Sequence, residues 1–70
     1  MNVAKQVSHN IAEARRSAGL SQTQLAHRLR TASQEICRLE SGRVCPRLTT
    51  LLRLARALEV PLTDLTQGIE

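Results

Sequence analysis

An all-α fold is what this sequence predicts, for three reasons. Apolar residues recur at helical spacing along the chain, and no stretch keeps the two-residue alternation of a strand. No residue is aromatic, so the core must be built from Leu, Ile, Val and Ala, with Leu and Ala prominent, a set that suits helices better than sheets. Helix start and stop signals also follow one another closely, which divides the 70 residues into several short helices. A chain of this size forms one domain and buries only about 60% of the surface that its unfolded form exposes. The domain is expected to span 1–70 with a core over 7–66, and residues 1–4 and 67–70 are expected to be loose ends.

The elements follow in order. Val7, Ile11, Ala14 and Ala18 stand at i, i+4, i+7 and i+11, and Gly19 reads as the stop of this first helix. Ser21-Gln22-Thr23-Gln24 has the S-x-x-Q form of a capping box, flanked by Leu20 and Leu25 as a hydrophobic staple. Leu25, Ala26 and Leu29 give the second helix its inner face. It must end near Leu29 or Arg30, because a further start signal lies within Thr31-Ala32-Ser33 and leaves a corner of only a few residues.

The third helix runs to about Glu40 and is closed by Ser41-Gly42, after which Arg43 to Arg47 forms a loop. Leu48 to Leu58 is the most strongly amphipathic segment, with Leu48, Leu51, Leu52, Leu54, Ala55 and Leu58 in one stripe and Arg53 and Arg56 behind it. Val60-Pro61 breaks the chain, and Leu62 and Leu65 predict one or two final turns. No internal repeat, linker or low-complexity tract interrupts this order.

Charge is distributed unevenly. The net charge is +4, but residues 15 to 56 hold nine arginines against only Glu35 and Glu40, and the segment from Ala57 onward is acidic by three. Arginine in this density suits a phosphate or carboxylate partner, because the planar guanidinium forks onto both; a merely solvated basic surface is the other reading. Two cysteines, Cys37 and Cys45, make no disulfide framework, and neither a secretory leader nor a spanning segment is legible, so a reducing, cytoplasmic location without membrane attachment is expected. The cysteines with His9 or His27 match no zinc spacing, and neither a nucleophile–base–acid arrangement nor a glycine-rich phosphate loop is present. No metal, no cofactor and no enzymatic role are expected.

The segment ASQEICRLE at 32–40 carries the functional signal. At about 100° per residue, Ser33, Cys37, Gln34 and Arg38 fall in one stripe roughly 140° wide, while Ile36 and Leu39 point to the other side. Two short helices joined by a tight corner, the second with a polar outward stripe, fit a helix-turn-helix. A helix is about 10–12 Å across and the major groove of B-form DNA about 12 Å wide, so such a rod can enter the groove. The competing reading is an ordinary helical bundle whose third helix shows solvent a mixed surface.

From Ile11 to Leu65 the sequence resembles the lambda-repressor-like helix-turn-helix regulators, which include phage repressors and Cro proteins. The matching pieces are R-x-x-x-G-L-S-Q at Arg15 and Gly19 to Gln22, Leu25-Ala26, I-C-R-L-E-S-G-R from Ile36 to Arg43, Pro46, and L-x-x-L-L-x-L-A-x-A-L-x-V from Leu48 to Val60. The resemblance implies a compact five-helix domain, with the helix-turn-helix at helices two and three and residues 33–40 as the recognition helix. Ser33, Gln34 and Arg38 then stand where base edges are met: the amide of Gln34 can pair with adenine N6/N7 and Arg38 with guanine O6/N7.

Gln22 falls where similar proteins touch a phosphate, at a helix start that also favours an anion. Ser41, Arg43 and Arg47 are expected as backbone clamps, with simple solubility as the other reading for all three and an even choice for Arg47. Arg15 and Glu40 stand at positions that form an internal ion pair in similar proteins, a structural role. Three departures from the family pattern stand out. Arg30 holds a corner position where glycine is usual, Ala32 replaces a capping hydroxyl residue, and Glu35 lies near the expected phosphates. For Glu35 a base or phosphate contact is open, though a role at the helix N-terminus is preferred; Cys37 is either a small semi-buried filler or a groove-facing, oxidisable contact.

The resemblance thus implies a regulator of transcription that reads a short operator in double-stranded DNA. A lone recognition helix touches few base pairs, so a homodimer with half-sites about 34 Å apart is expected, with Leu62, Leu65 and Ile69 as dimer candidates unless they close the monomer's own core. An antitoxin-like protein-interaction module is the alternative, and RNA binding a weaker third, since there is no aromatic residue to stack on bases.

Overall fold

The structure is a computed structural model and describes residues 2–69. Five helices follow in order: α1 (Val3–Ser17), α2 (Gln22–Leu29), α3 (Ser33–Glu40), α4 (Leu48–Leu58) and α5 (Leu62–Thr66). No strand occurs among the described residues. Each helix sends one side chain to the centre: Ile11, Leu25, Ile36, Leu54 and Leu65 are all at 0% exposure. These five come from five separate segments, so no helix can detach without opening the core that the others share.

Local signals set the helix ends. Asn2 caps α1 by accepting from the Lys5 amide at 3.1 Å, so the helix begins at Val3, inside the stretch expected to be loose. At the other end, Asn10 Nδ2 donates to the carbonyls of Leu65 and Gln67, and Ile69 packs partly buried on the core. The outermost residues of the two expected loose ends, Met1 and Glu70, lie outside the described residues. The capping box of α2 is complete: the Gln24 amide donates to Ser21 Oγ at 3.0 Å and the Ser21 amide to Gln24 Oε1 at 2.7 Å.

Two apolar stripes differ from expectation. On α1, Val7 and Ile11 are buried and Ala14 is partly buried, but Ala18 is exposed, because it is the C-cap and the chain turns away at Gly19. Ser8 and Ala12 are buried instead, since α1 also packs against α3 and Gly42, in the turn after α3, lies beside Ser8. On α4, Leu51, Leu54, Ala55 and Leu58 are buried, whereas Leu48 and Leu52 are 62% and 48% exposed. At about 100° per residue the four buried positions fill an arc of roughly 100°, and Leu48 and Leu52 lie on its flank, where no other helix covers them.

Two non-glycine residues adopt left-handed backbone, Arg30 (φ 56°) and Glu59 (φ 57°), each as the C-cap of a helix. The corner at Arg30 therefore keeps the left-handed geometry that glycine usually supplies, at about 1–2 kcal/mol of steric strain. Both caps close onto carbonyls of their own helix, and both ends are also served by an arginine from the neighbouring one. Arg53 of α4 donates to the Leu29 carbonyl at 2.7 Å, and Arg28 of α2 donates to the Ala57 carbonyl at 3.0 Å. Cations at helix C-termini also oppose the negative end of the helix dipole.

Candidate nucleic-acid interface

The corner between α2 and α3 is built by the backbone. Arg30 N donates to the His27 carbonyl and Thr31 N to the Ala26 carbonyl, at 3.1 and 3.0 Å, which turns the chain sharply after α2. Ala32 then caps α3 with no side-chain acceptor, as its sequence implies, and the Glu35 amide closes the first turn on the Ala32 carbonyl.

On α3 the two faces separate cleanly. Ile36 is at 0% exposure and Leu39 at 3%, while Ser33, Gln34, Cys37 and Arg38 are all exposed. The polar stripe is therefore a continuous outer surface anchored from behind by two core residues. Among the described residues, the side chains of Ser33 and Gln34 have no hydrogen-bond partner within the protein, and their donors and acceptors face outward. Cys37 is an exposed free thiol, which removes the reading of it as a semi-buried filler.

Behind the stripe, Glu40 joins three elements. Arg15 donates to it through Nε at 2.7 Å and Nη2 at 3.1 Å, and its Nη1 reaches the Leu20 carbonyl at 2.8 Å. Gln22 Nε2 donates to the same carboxylate at 3.1 Å. The ion pair is nearly buried, with Arg15 and Glu40 side chains 12% and 6% exposed, and the hydrogen-bonded carboxylate holds the Arg15 guanidinium above its ordinary pKa. This clamp ties the end of α3 to α1 and to the start of α2. It also occupies one Gln22 amide hydrogen, leaving the other hydrogen and the backbone N–H for an anion.

Glu35 stands in the first turn of α3, where the helix dipole favours its charge as the preferred sequence reading has it, but it makes no capping bond. Its carboxylate does not reach back to the α3 N-terminus but forks onto Arg38, at 3.0 Å to Nε and 2.6 Å to Nη2. The two residues are one helical turn apart, so their side chains meet on the same flank. Those bonds hold the Glu35 carboxyl below the usual carboxylate range and the Arg38 guanidinium above its ordinary value.

The loop after α3 sits beside this helix. Ser41 Oγ donates to the Arg38 carbonyl at 2.7 Å and accepts from the Arg43 amide at 3.2 Å, so its hydroxyl shapes the turn before it can serve as a clamp. Gly42 (φ +81°) lies against α1: a Cβ there would stand 3.1 Å from Lys5 Cγ and 3.3 Å from Ser8 Oγ. Pro46 is buried, which anchors the loop's far end, and Arg43 and Arg47 are exposed. Among the described residues, Arg30, Arg43, Arg47 and Arg56 have no side-chain hydrogen bond. The sequence reading missed that Arg28 and Arg53 are engaged as cross-caps; only their last-turn and mid-helix positions hinted at it.

The dimer candidates are largely absorbed by the monomer. Leu65 is fully buried, and Leu62 and Ile69 pack partly buried against the core, because α5 fills the space between α1 and α4. Leu65 therefore offers no surface to a second copy. No helix among the described residues is long and apolar enough to cross a membrane.

A short helix held by its apolar back, presenting a polar stripe beside a tight corner, defines a helix-turn-helix DNA-binding domain. The helix-turn-helix family model matches residues 11–65, and the chain belongs to that lambda-repressor-like family of non-enzymatic, DNA-binding transcription regulators. It is similar to the uncharacterised HTH-type transcriptional regulator y4dJ of Sinorhizobium fredii strain NGR234, with 38% identity over 65 residues, covering 93% of this chain and 84% of that protein.

Proposed function

We propose that this regulator is a sequence-specific repressor that binds as a dimer to a short palindromic operator, with α3 in the major groove. The observation that carries this reading is the exposure of Ser33, Gln34 and Arg38 on a helix whose other face, Ile36 and Leu39, is locked in the core. Ser33, Gln34 and Arg38 read base edges, Gln34 suiting adenine and Arg38 guanine. Gln22, Ser41, Arg43 and Arg47 hold the sugar–phosphate backbone on either side, through backbone amides at the start of α2, through guanidinium groups in the loop, and through the Ser41 hydroxyl once it turns from the Arg38 carbonyl to a phosphate. Cys37 sits within the same stripe and lies close to the groove floor. Such a protein works where the chromosome is, in the bacterial cytoplasm.

Selection of bound sequences from a random duplex pool tests this directly. A palindromic consensus is expected, and recovery of no consensus would refute sequence-specific reading. If six to ten phosphates are neutralised by a dimer, affinity for the selected duplex should fall by about 10³- to 10⁵-fold between 50 and 200 mM salt. A flat salt response in the same binding assay would rule out the groove-bound complex. Sedimentation of the protein with and without the duplex reports the dimer, and a reporter gene behind the selected operator reports repression.

A further inference from the structure

The fork between Arg38 and Glu35 uses one edge of the guanidinium. The carboxylate lies along the side formed by Nε and Nη2, at 3.0 and 2.6 Å. A guanidinium carries five N–H groups in a rigid plane. With the Nε hydrogen and one Nη2 hydrogen engaged, both Nη1 hydrogens and the second Nη2 hydrogen are left. The two at the tip, one from each terminal nitrogen, run side by side and match the spacing of guanine O6 and N7. The Arg38 side chain is 53% exposed and Glu35 38%, and among the described residues the guanidinium has no other hydrogen-bond partner. Its tip is the edge the protein leaves open.

A free arginine on this face would sample many rotamers, and its stem would reach phosphates as readily as bases. Ordering one such side chain on binding weakens the contact by roughly two- to tenfold. The fork removes that freedom beforehand, and the carboxylate's charge disfavours a swing towards phosphate. Glu35 is also one of only two acidic residues between positions 15 and 56, and the other, Glu40, is tied up in the nearly buried clamp. A carboxylate beside the stripe weakens attraction to every duplex, so what it can add is discrimination.

From this geometry we infer that Glu35 is a specificity-determining positioning residue, which holds Arg38 tip-outward for a guanine and off the phosphates. The inference rests on α3 being the helix that enters the groove. It predicts a particular split between affinity and preference.

The test is sequence selection from a random duplex pool with wild type, Arg38→Ala and Glu35→Gln, each first checked for native helix content and cooperative melting. Glu35→Gln keeps the side chain's shape at a partly exposed position, and Glu35→Ala serves as a second variant. Wild type and Arg38→Ala together identify the guanine that Arg38 reads. Glu35→Gln is then expected to lower the preference for that guanine by about two- to tenfold, to leave the other positions unchanged, and to tighten binding to an unrelated duplex. Tighter binding to every duplex with the guanine preference unchanged would overturn the inference, because Glu35 would then supply charge alone. A loss of preference at all positions together would overturn it as well, by assigning Glu35 to the integrity of α3. If wild type selects a consensus in which no position depends on Arg38, this inference fails while groove reading survives; if it selects nothing, both fail.

Discussion

Two glutamate–arginine forks stand at opposite sides of the recognition helix, and they do different work. Arg15–Glu40 is nearly sealed from water and spans three elements, with Gln22 and the Leu20 carbonyl completing its hydrogen bonds. Glu35–Arg38 has similar bond lengths, but it lies within one helix and both partners are substantially exposed. Distance alone does not rank them. Burial does: removing one partner from the first strands a charge in a poorly solvated place, whereas water can replace either partner of the second.

The largest effect should come from breaking the buried fork. Arg15→Ala is expected to cost about 3–5 kcal/mol of folding stability, read from chemical denaturation, and to abolish DNA binding through unfolding. A variant that melts like wild type yet binds no DNA would instead make Arg15 part of the interface. The exposed fork gives the opposite pattern. Arg38→Ala should leave the denaturation midpoint close to that of wild type while discrimination at one base position drops by roughly 5- to 150-fold, measured by competition between duplexes that differ at that position.

The smallest effect concerns protons. The folded Glu35 carboxyl is held low by the hydrogen bonds from Arg38, with their mutual attraction adding to it. A depressed folded value means that the pair's contribution is fully present above the ordinary carboxylate range and disappears as the pH falls through the folded value. Carboxyl NMR should therefore show Glu35 titrating at lower pH in wild type than in Arg38→Ala. Equal titration in the two proteins would mean that the fork is not populated in solution, and the contrast with Arg15–Glu40 would be sharper still.

Much of the fold could be read from residue order because its signals are local. The Ser21–Gln24 capping box, the start of α3 just after Ala32 and the division of α3 into a polar stripe and an apolar back each involve residues within about one turn or two of one another. The opening of the Ser33–Gln34–Arg38 stripe to solvent follows from that same periodicity, so the candidate interface was legible before any packing was known. Glu35–Arg38 was also within reach of the sequence, since i,i+3 opposite charges meet on a helix; a first-turn carboxylate suits the helix dipole equally well, so residue order alone does not choose between the two partners.

What residue order fixed is where helices begin and end and which face of α3 is apolar, because these depend on backbone hydrogen bonds and a 3.6-residue period. Only the packed molecule decides which flank of an apolar stripe is covered, because coverage depends on where the other helices pass. That is why Leu48 and Leu52 stay in water while Leu65 is enclosed. The same holds for Arg28 and Arg53: their charge is written in the chain, but the carbonyls they meet are brought to them from distant residues when α2 and α4 pack together.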